Sequence, residues 1–174
     1  MVARAVVIQA GSFIQDSRVI LDASLRHPVL ASIILAPANL RIFAVQDIAP
    51  RDAYVFLKEQ AEAVLVDCRT EIEFMYVGHP VGAEHVAWQE APDWAIDPEF
   101  SDKVKRLVKG DLKRPVLLIC RSGQRSVYAG EALEDAGFLT VINVLEGFEG
   151  PLDERFHRGT LGGWRYYGLP WQQS

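Results

Sequence analysis

The apolar run Pro115–Ile119 ends in Cys120, and the six residues after it are all small or polar: Arg121, Ser122, Gly123, Gln124, Arg125 and Ser126. A thiol in that position is placed for ionisation. Backbone N–H groups at the start of a helix have no partner within it and converge on anions, and two arginines add positive charge. Each effect lowers a thiol pKa. The chemistry on offer is attack by a sulfur nucleophile, with the loop cradling the anion that is attacked or formed. A cysteine closing a strand can also be a small buried hydrophobe. Two arginines, two serines and a glycine directly after it are costly in that reading unless an anion or a thiolate satisfies them.

The elements around the loop decide where it sits. Ala49-Pro50 opens a helix whose apolar face is Ala53, Phe56, Leu57 and Ala61. Ala63–Cys68 is a short continuous apolar run, suited to a strand covered on both faces. Thr70 and Glu73 form a capping box for a short helix that Gly78 and Pro80 end, and Ala83–Trp88 reads as a further strand. Asp97-Pro98 predicts a helix start, with Phe100, Val104, Leu107 and Val108 on one face and Gly110 as its stop. Pro115–Cys120 is the next strand, Gln124–Ala136 a helix closed by Gly137, and Thr140–Leu145 another strand. Strands and helices alternate, which implies an α/β domain built on a parallel sheet with helices on both faces. Ligands of such sheets bind beyond the carboxyl ends of the strands, where Cys120 falls. The glycine- and aromatic-rich tail, Glu146–Ser174, is expected to clasp a sheet edge through Trp164, Tyr166, Tyr167 and Trp171.

Composition narrows the function classes. The chain has 174 residues, enough for one domain with a proper core, and 49% of them are hydrophobic. Its net charge of -5 argues against a nucleic-acid partner. No apolar run reaches the ~18–20 residues of a membrane span. Two cysteines, Cys68 and Cys120, fit a reducing, cytoplasmic setting with reactive sulfur. The four histidines share no ligand spacing, so no metal is expected. Lys103, Lys105, Arg106 and Lys109 read as a solvated helix face, with docking of an acidic carrier protein as the alternative. Residues 1–42 form an N-terminal extension with no assigned chemistry. Its run Val29–Ala38 leaves open a cleaved targeting segment, and the domain proper spans 43–174.

Several stretches together resemble the rhodanese-like sulfurtransferases. They are Val66-Asp67-Cys68-Arg69-Thr70, the Cys120–Ser126 loop, Asn143-Val144-Leu145-Glu146-Gly147, Gly163-Trp164-Arg165 and Gly168-Leu169-Pro170-Trp171, in order over Val45–Trp171. The resemblance implies a five-stranded parallel sheet with helices on both faces, and a catalytic Cys120 that cycles through a persulfide. It implies a small sulfur-containing anion such as thiosulfate as donor, cyanide or a thiol as acceptor, a protein sulfur carrier as a further partner, and no cofactor. Asp67, Arg69 and Glu146 would support the loop. Phe148 departs from the family's second glycine after Gly147.

Two alternatives share the fold: a phosphatase or arsenate reductase, and a non-catalytic binding module. Related phosphatases place five residues between cysteine and arginine. Here four separate Cys120 from Arg125, and Ser126 stands at the phosphatase arginine's place. In those phosphatases a cysteine at the position of Cys68 can form a disulfide with the catalytic cysteine. Adjacent parallel strands would bring the two α-carbons near the ~4.4–6.8 Å a disulfide needs. Cys68 is otherwise a small buried residue.

Overall fold

The structure, a computed structural model, describes residues 45–174; the extension 1–42, with its run Val29–Ala38, lies outside the described residues. In chain order the elements are β1 (Gln46–Ile48), α1 (Pro50–Glu59), β2 (Val64–Asp67), a π-helical turn (Glu73–Val77), β3 (His79–Pro80), β4 (Glu84–His85), β5 (Gln89–Glu90), β6 (Ala95–Ile96), α2 (Phe100–Leu107), β7 (Val116–Ile119), α3 (Arg125–Asp135), β8 (Val141–Val144) and β9 (Trp171–Gln172).

The runs read as doubly covered strands pair in parallel. The main sheet has five strands in the order β1-β8-β7-β2-β4, each parallel to its neighbours, and β7 lies at its centre. Val116–Ile119 and Val141–Val144 are buried along their whole length, as branched and aliphatic side chains without polar alternation require. Successive residues point to opposite faces. Val66, Cys68, Val116, Leu118 and Cys120 pack under Phe100 and Val104 of α2 and Ala129 and Leu133 of α3. Leu65 and Leu117 face the other way, where α1 and the fully buried Trp164 close the layer; Tyr54 of α1 meets Trp164 edge-on at 6.0 Å.

The edge strand β1 was not expected from the sequence, and two element boundaries differ from the reading. The strand expected over Ala83–Trp88 shortens to Glu84–His85, although the N–H groups of Val86 and Trp88 still bond to the carbonyls of Asp67 and Cys68. Helix α2 starts at Phe100, not after Asp97. The Asp97 carboxylate accepts the Glu99 N–H at 2.9 Å, making a local turn, and the first helical bond runs from Lys103 N–H to the Glu99 carbonyl. The tail also places its aromatics differently. Trp164 is a core residue, and only β9 pairs outward, antiparallel to β3 in a small separate sheet. Among the described residues no helix is long and apolar enough to cross a membrane.

Candidate active site

Cys120 follows the last residue of the central strand, and α3 begins five positions later at Arg125. The loop between them folds over the sulfur because its carbonyls are tied outward. The N–H groups of Phe148 and Glu149 bond to the carbonyls of Cys120 (2.8 Å) and Arg121 (3.0 Å). In a trans peptide the N–H opposes the C=O, so the following amides turn inward. The contact is close enough to dictate sequence. Gly147 has φ +63°, and a Cβ there would overlap the Cys120 carbonyl; Gly123, at φ +85°, would put one 2.9 Å from the Glu146 nitrogen.

The Gly123 N–H donates to the sulfur at 3.2 Å, and the Ser126 hydroxyl lies at the same distance, its single proton divided between the sulfur and the Asn143 oxygen 2.6 Å away. The Cys120 pKa is held down at about 5. The neighbouring Cys68 thiol is the largest influence; burial opposes it, and the Ser126 hydroxyl with the N–H groups of Ser126 and Ser122 adds to it. Cys68 itself is pushed well above the usual thiol range by Cys120 and by burial, so one sulfur of the pair is ionised. Its N–H bonds to the Ile119 carbonyl at 2.9 Å, which carries the ladder up to Cys120. Cys120 is only 1% exposed and lies at the floor of the loop, so a reacting partner must present a narrow terminal atom.

Asp67 and Arg69 form a fully buried ion pair, with the guanidinium Nη2 2.6 Å and Nε 2.9 Å from the carboxylate oxygens. The Arg69 guanidinium also covers the Phe148 ring at 4.3 Å. The pair therefore backs the segment that ties the loop carbonyls, and the residue standing in place of a second glycine is its packing surface. Glu146 acts further out: its carboxylate accepts the Gly163 N–H at 2.8 Å and fastens the tail to the same turn. Arg121 and Gln124 are exposed.

Arg125 departs from expectation. Its two terminal nitrogens grip both oxygens of Glu73, at 2.7 and 2.9 Å, so it does not stand open to a donor anion. Burial alone would raise the Glu73 pKa, but Arg125 and Thr70 hold it at about 2. Sequence reasoning found Glu73 only as a capping residue. The cap is present, since Thr70 and Glu73 exchange backbone and side-chain bonds of 3.0–3.2 Å, but nothing local signals a partner 52 positions away.

Two further residues went unread. Asn143 shares the Ser126 proton with the sulfur, at 2.6 Å, and donates to the exposed Asp47 at 2.7 Å, a chain that joins the surface to the hydroxyl beside the sulfur. Glu149 lies 3.8 Å from Arg69 Nη1, each atom without a hydrogen bond, and burial raises its pKa against the pull of Arg69.

The family model for the rhodanese-like domain matches residues 51–153. The chain belongs to the rhodanese-like family. The crystal structure of the rhodanese-like chain's relative Rv0390, from M. tuberculosis, is 39% identical with a TM-score of 0.67, covering 75% of this chain and 99% of that one. A thiosulfate sulfurtransferase from Pseudomonas aeruginosa is 21% identical with a TM-score of 0.54, over 74% of this chain and 20% of that one. The protein RPA3614 from Rhodopseudomonas palustris, described as a possible tyrosine phosphatase, is 23% identical with a TM-score of 0.52, over 74% and 85%. At those two identities the likeness shows the rhodanese fold alone, a fold that carries sulfurtransferases and a phosphatase-like protein alike.

Proposed function

We propose that the protein is a sulfurtransferase that moves a sulfane sulfur through a persulfide on Cys120. The observation that carries this reading is a nearly enclosed cysteine at the end of the central strand, with the Gly123 N–H and the Ser126 hydroxyl 3.2 Å from its sulfur, a setting that holds its pKa below the usual thiol range. With thiosulfate as donor, the Cys120 thiolate attacks the outer sulfur and the bond to the sulfonate sulfur breaks. Sulfite leaves with that electron pair, and the enzyme keeps an anionic persulfide. The added atom sits against the N–H groups of Arg121–Ser126, which stabilise its charge without reorganising. A thiol, a carrier protein's thiolate, or cyanide in an assay then attacks the outer sulfur, and Cys120 leaves as thiolate. Asp67, Arg69 and Glu146 act by holding the loop, and no step needs a metal or organic cofactor. A reducing, cytoplasmic setting keeps such a thiolate available.

Phosphatase chemistry is disfavoured. A loop with four residues between Cys120 and Arg125 is one short of the phosphatase ring, and the guanidinium that would meet phosphate is already paired with Glu73. Thiosulfate-to-cyanide transfer measured beside phenyl phosphate hydrolysis separates the readings. Transfer that disappears in Cys120→Ser supports the proposal. Hydrolysis of the phosphate ester without transfer, or transfer undiminished in the variant, refutes it.

A further inference from the structure

Arg121 and Arg125 are the two cations of the reactive loop, and only one is open. Arg125 is 18% exposed, is held through both terminal nitrogens, and lies with its guanidinium 6.0 Å from the Trp94 ring. Glu73 carries its negative charge throughout the working pH range. Any oxyanion meeting Arg125 must displace that carboxylate or lie against it. Beside the same arginine runs a cleft of about 500 Å3 whose walls include Trp88, Ile96, Gln124 and Tyr128 together with the carboxylates of Glu131 and Asp135. Ile96 and Tyr128 are more than half exposed there, and Trp94 is half exposed nearby. This approach to the loop thus combines a neutralised cation, two carboxylates and partly apolar walls, with Arg121 the open cation of the loop itself.

Donors differ in what they place there. In thiosulfate the atom bonded to the transferred sulfur carries three charged oxygens, which must come to rest beside Glu73. In an organic persulfide the corresponding position is a second sulfur followed by a methylene, which suits an apolar wall.

We propose that Glu73 sets donor specificity by occupying Arg125, so that the preferred donor is a low-molecular-weight organic persulfide and not thiosulfate or another oxyanion. This rests on the persulfide reading given above. The step balances without a redox partner: Cys120–S⁻ attacks the outer sulfur of R–S–S–H, the S–S bond breaks, and R–S⁻ leaves with the bonding pair. The transferred sulfur keeps its proton and its oxidation level.

The experiment compares initial rates of Cys120 sulfur loading, by intact mass, for freshly prepared cysteine persulfide and for thiosulfate. It uses the whole chain and Glu73→Gln, with sulfate as an inert competitor. The wild type should load from the persulfide about tenfold faster or more, with sulfate without effect. Glu73→Gln, which frees a charge-assisted donor, should shift the ratio toward thiosulfate about tenfold and become sensitive to sulfate. A purely capping role for Glu73 would lower stability and leave the ratio and sulfate response alone. A wild type that prefers thiosulfate overturns the inference even if the variant fails to fold. So does an unchanged ratio in a folded variant. Loading from neither donor overturns the sulfurtransferase reading, and this inference with it.

Discussion

Ser126→Ala tests how the thiolate is made. The hydroxyl lies 3.2 Å from the sulfur in a fully buried residue, so solvent cannot replace it. A hydrogen bond to a charged group contributes about 1.5–3 kcal/mol, and each pKa unit corresponds to about 1.36 kcal/mol. Removing a donor that favours the charged form raises the pKa, here by about 1–2 units from a starting value of about 5. The consequence depends on pH. At pH 5 the thiolate fraction falls from half to about a tenth or less, while at pH 7.5 it stays above about a half. The variant should therefore look nearly normal in a neutral assay and fail in an acidic one. The pH profile of the alkylation rate with iodoacetamide reads Cys120 selectively, because the Cys68 pKa is raised well above the usual thiol range while that of Cys120 is held down. Ser126→Thr keeps the hydroxyl and should restore the midpoint, which ties the shift to the hydroxyl and not to substitution of a buried residue as such. A midpoint near 8.5 in the wild type, or one unmoved in Ser126→Ala, refutes the reasoning.

Asp67→Asn leaves the Arg69 guanidinium fully buried without its counter-charge and should cost about 3–5 kcal/mol in chemical denaturation; a loss below about 1 kcal/mol contradicts the bracing role. Gly147→Ala drives a Cβ into the Cys120 carbonyl at a positive φ, so the loop must open. Its alkylation midpoint should rise and sulfur transfer fall together, and a folded variant with both unchanged removes the amide-cradle argument. Cys68 and Cys120 occupy continuing positions on neighbouring parallel strands about 4.8 Å apart, inside the disulfide range. We propose that limited peroxide oxidises Cys120 to the sulfenic acid, and that the Cys68 sulfur then attacks the Cys120 sulfur, forming a reversible disulfide as the sulfenic hydroxyl leaves as water with the Cys68 proton. Peptide mapping should find the Cys68–Cys120 linkage, and sulfinic acid at Cys120 with free Cys68 would refute it.

The three inner strands of the sheet were readable because they are short, mostly branched and aliphatic runs set between strong helix signals, whereas the polar edge strand β1 carries no such pattern and was not read. Val64–Asp67 and Val116–Ile119 could be placed before any coordinates, and Cys120 with them, since a strand end in a parallel sheet is a position fixed by topology. What could not be read was pairing across distance. Glu73 satisfies its local capping role so completely that nothing marks its bond to Arg125, and a charge count alone makes the loop look more cationic than it is. Asn143 reads as a polar interruption of an apolar strand, and its connection of Asp47 to Ser126 exists only once β1, β8 and α3 are assembled. The start of α2 was missed for a local reason: Asp97 can cap a helix or close a turn, and here it closes a turn.

Intact-mass and peptide mass spectrometry of the protein after brief exposure to a sulfane-sulfur donor addresses the central claim without relying on an acceptor. The account predicts a gain of one sulfur atom on the peptide carrying Cys120, removed by cyanide or a thiol and absent in Cys120→Ser. A mass unchanged by every donor, or sulfur found on Cys68 with Cys120 bare, would contradict it.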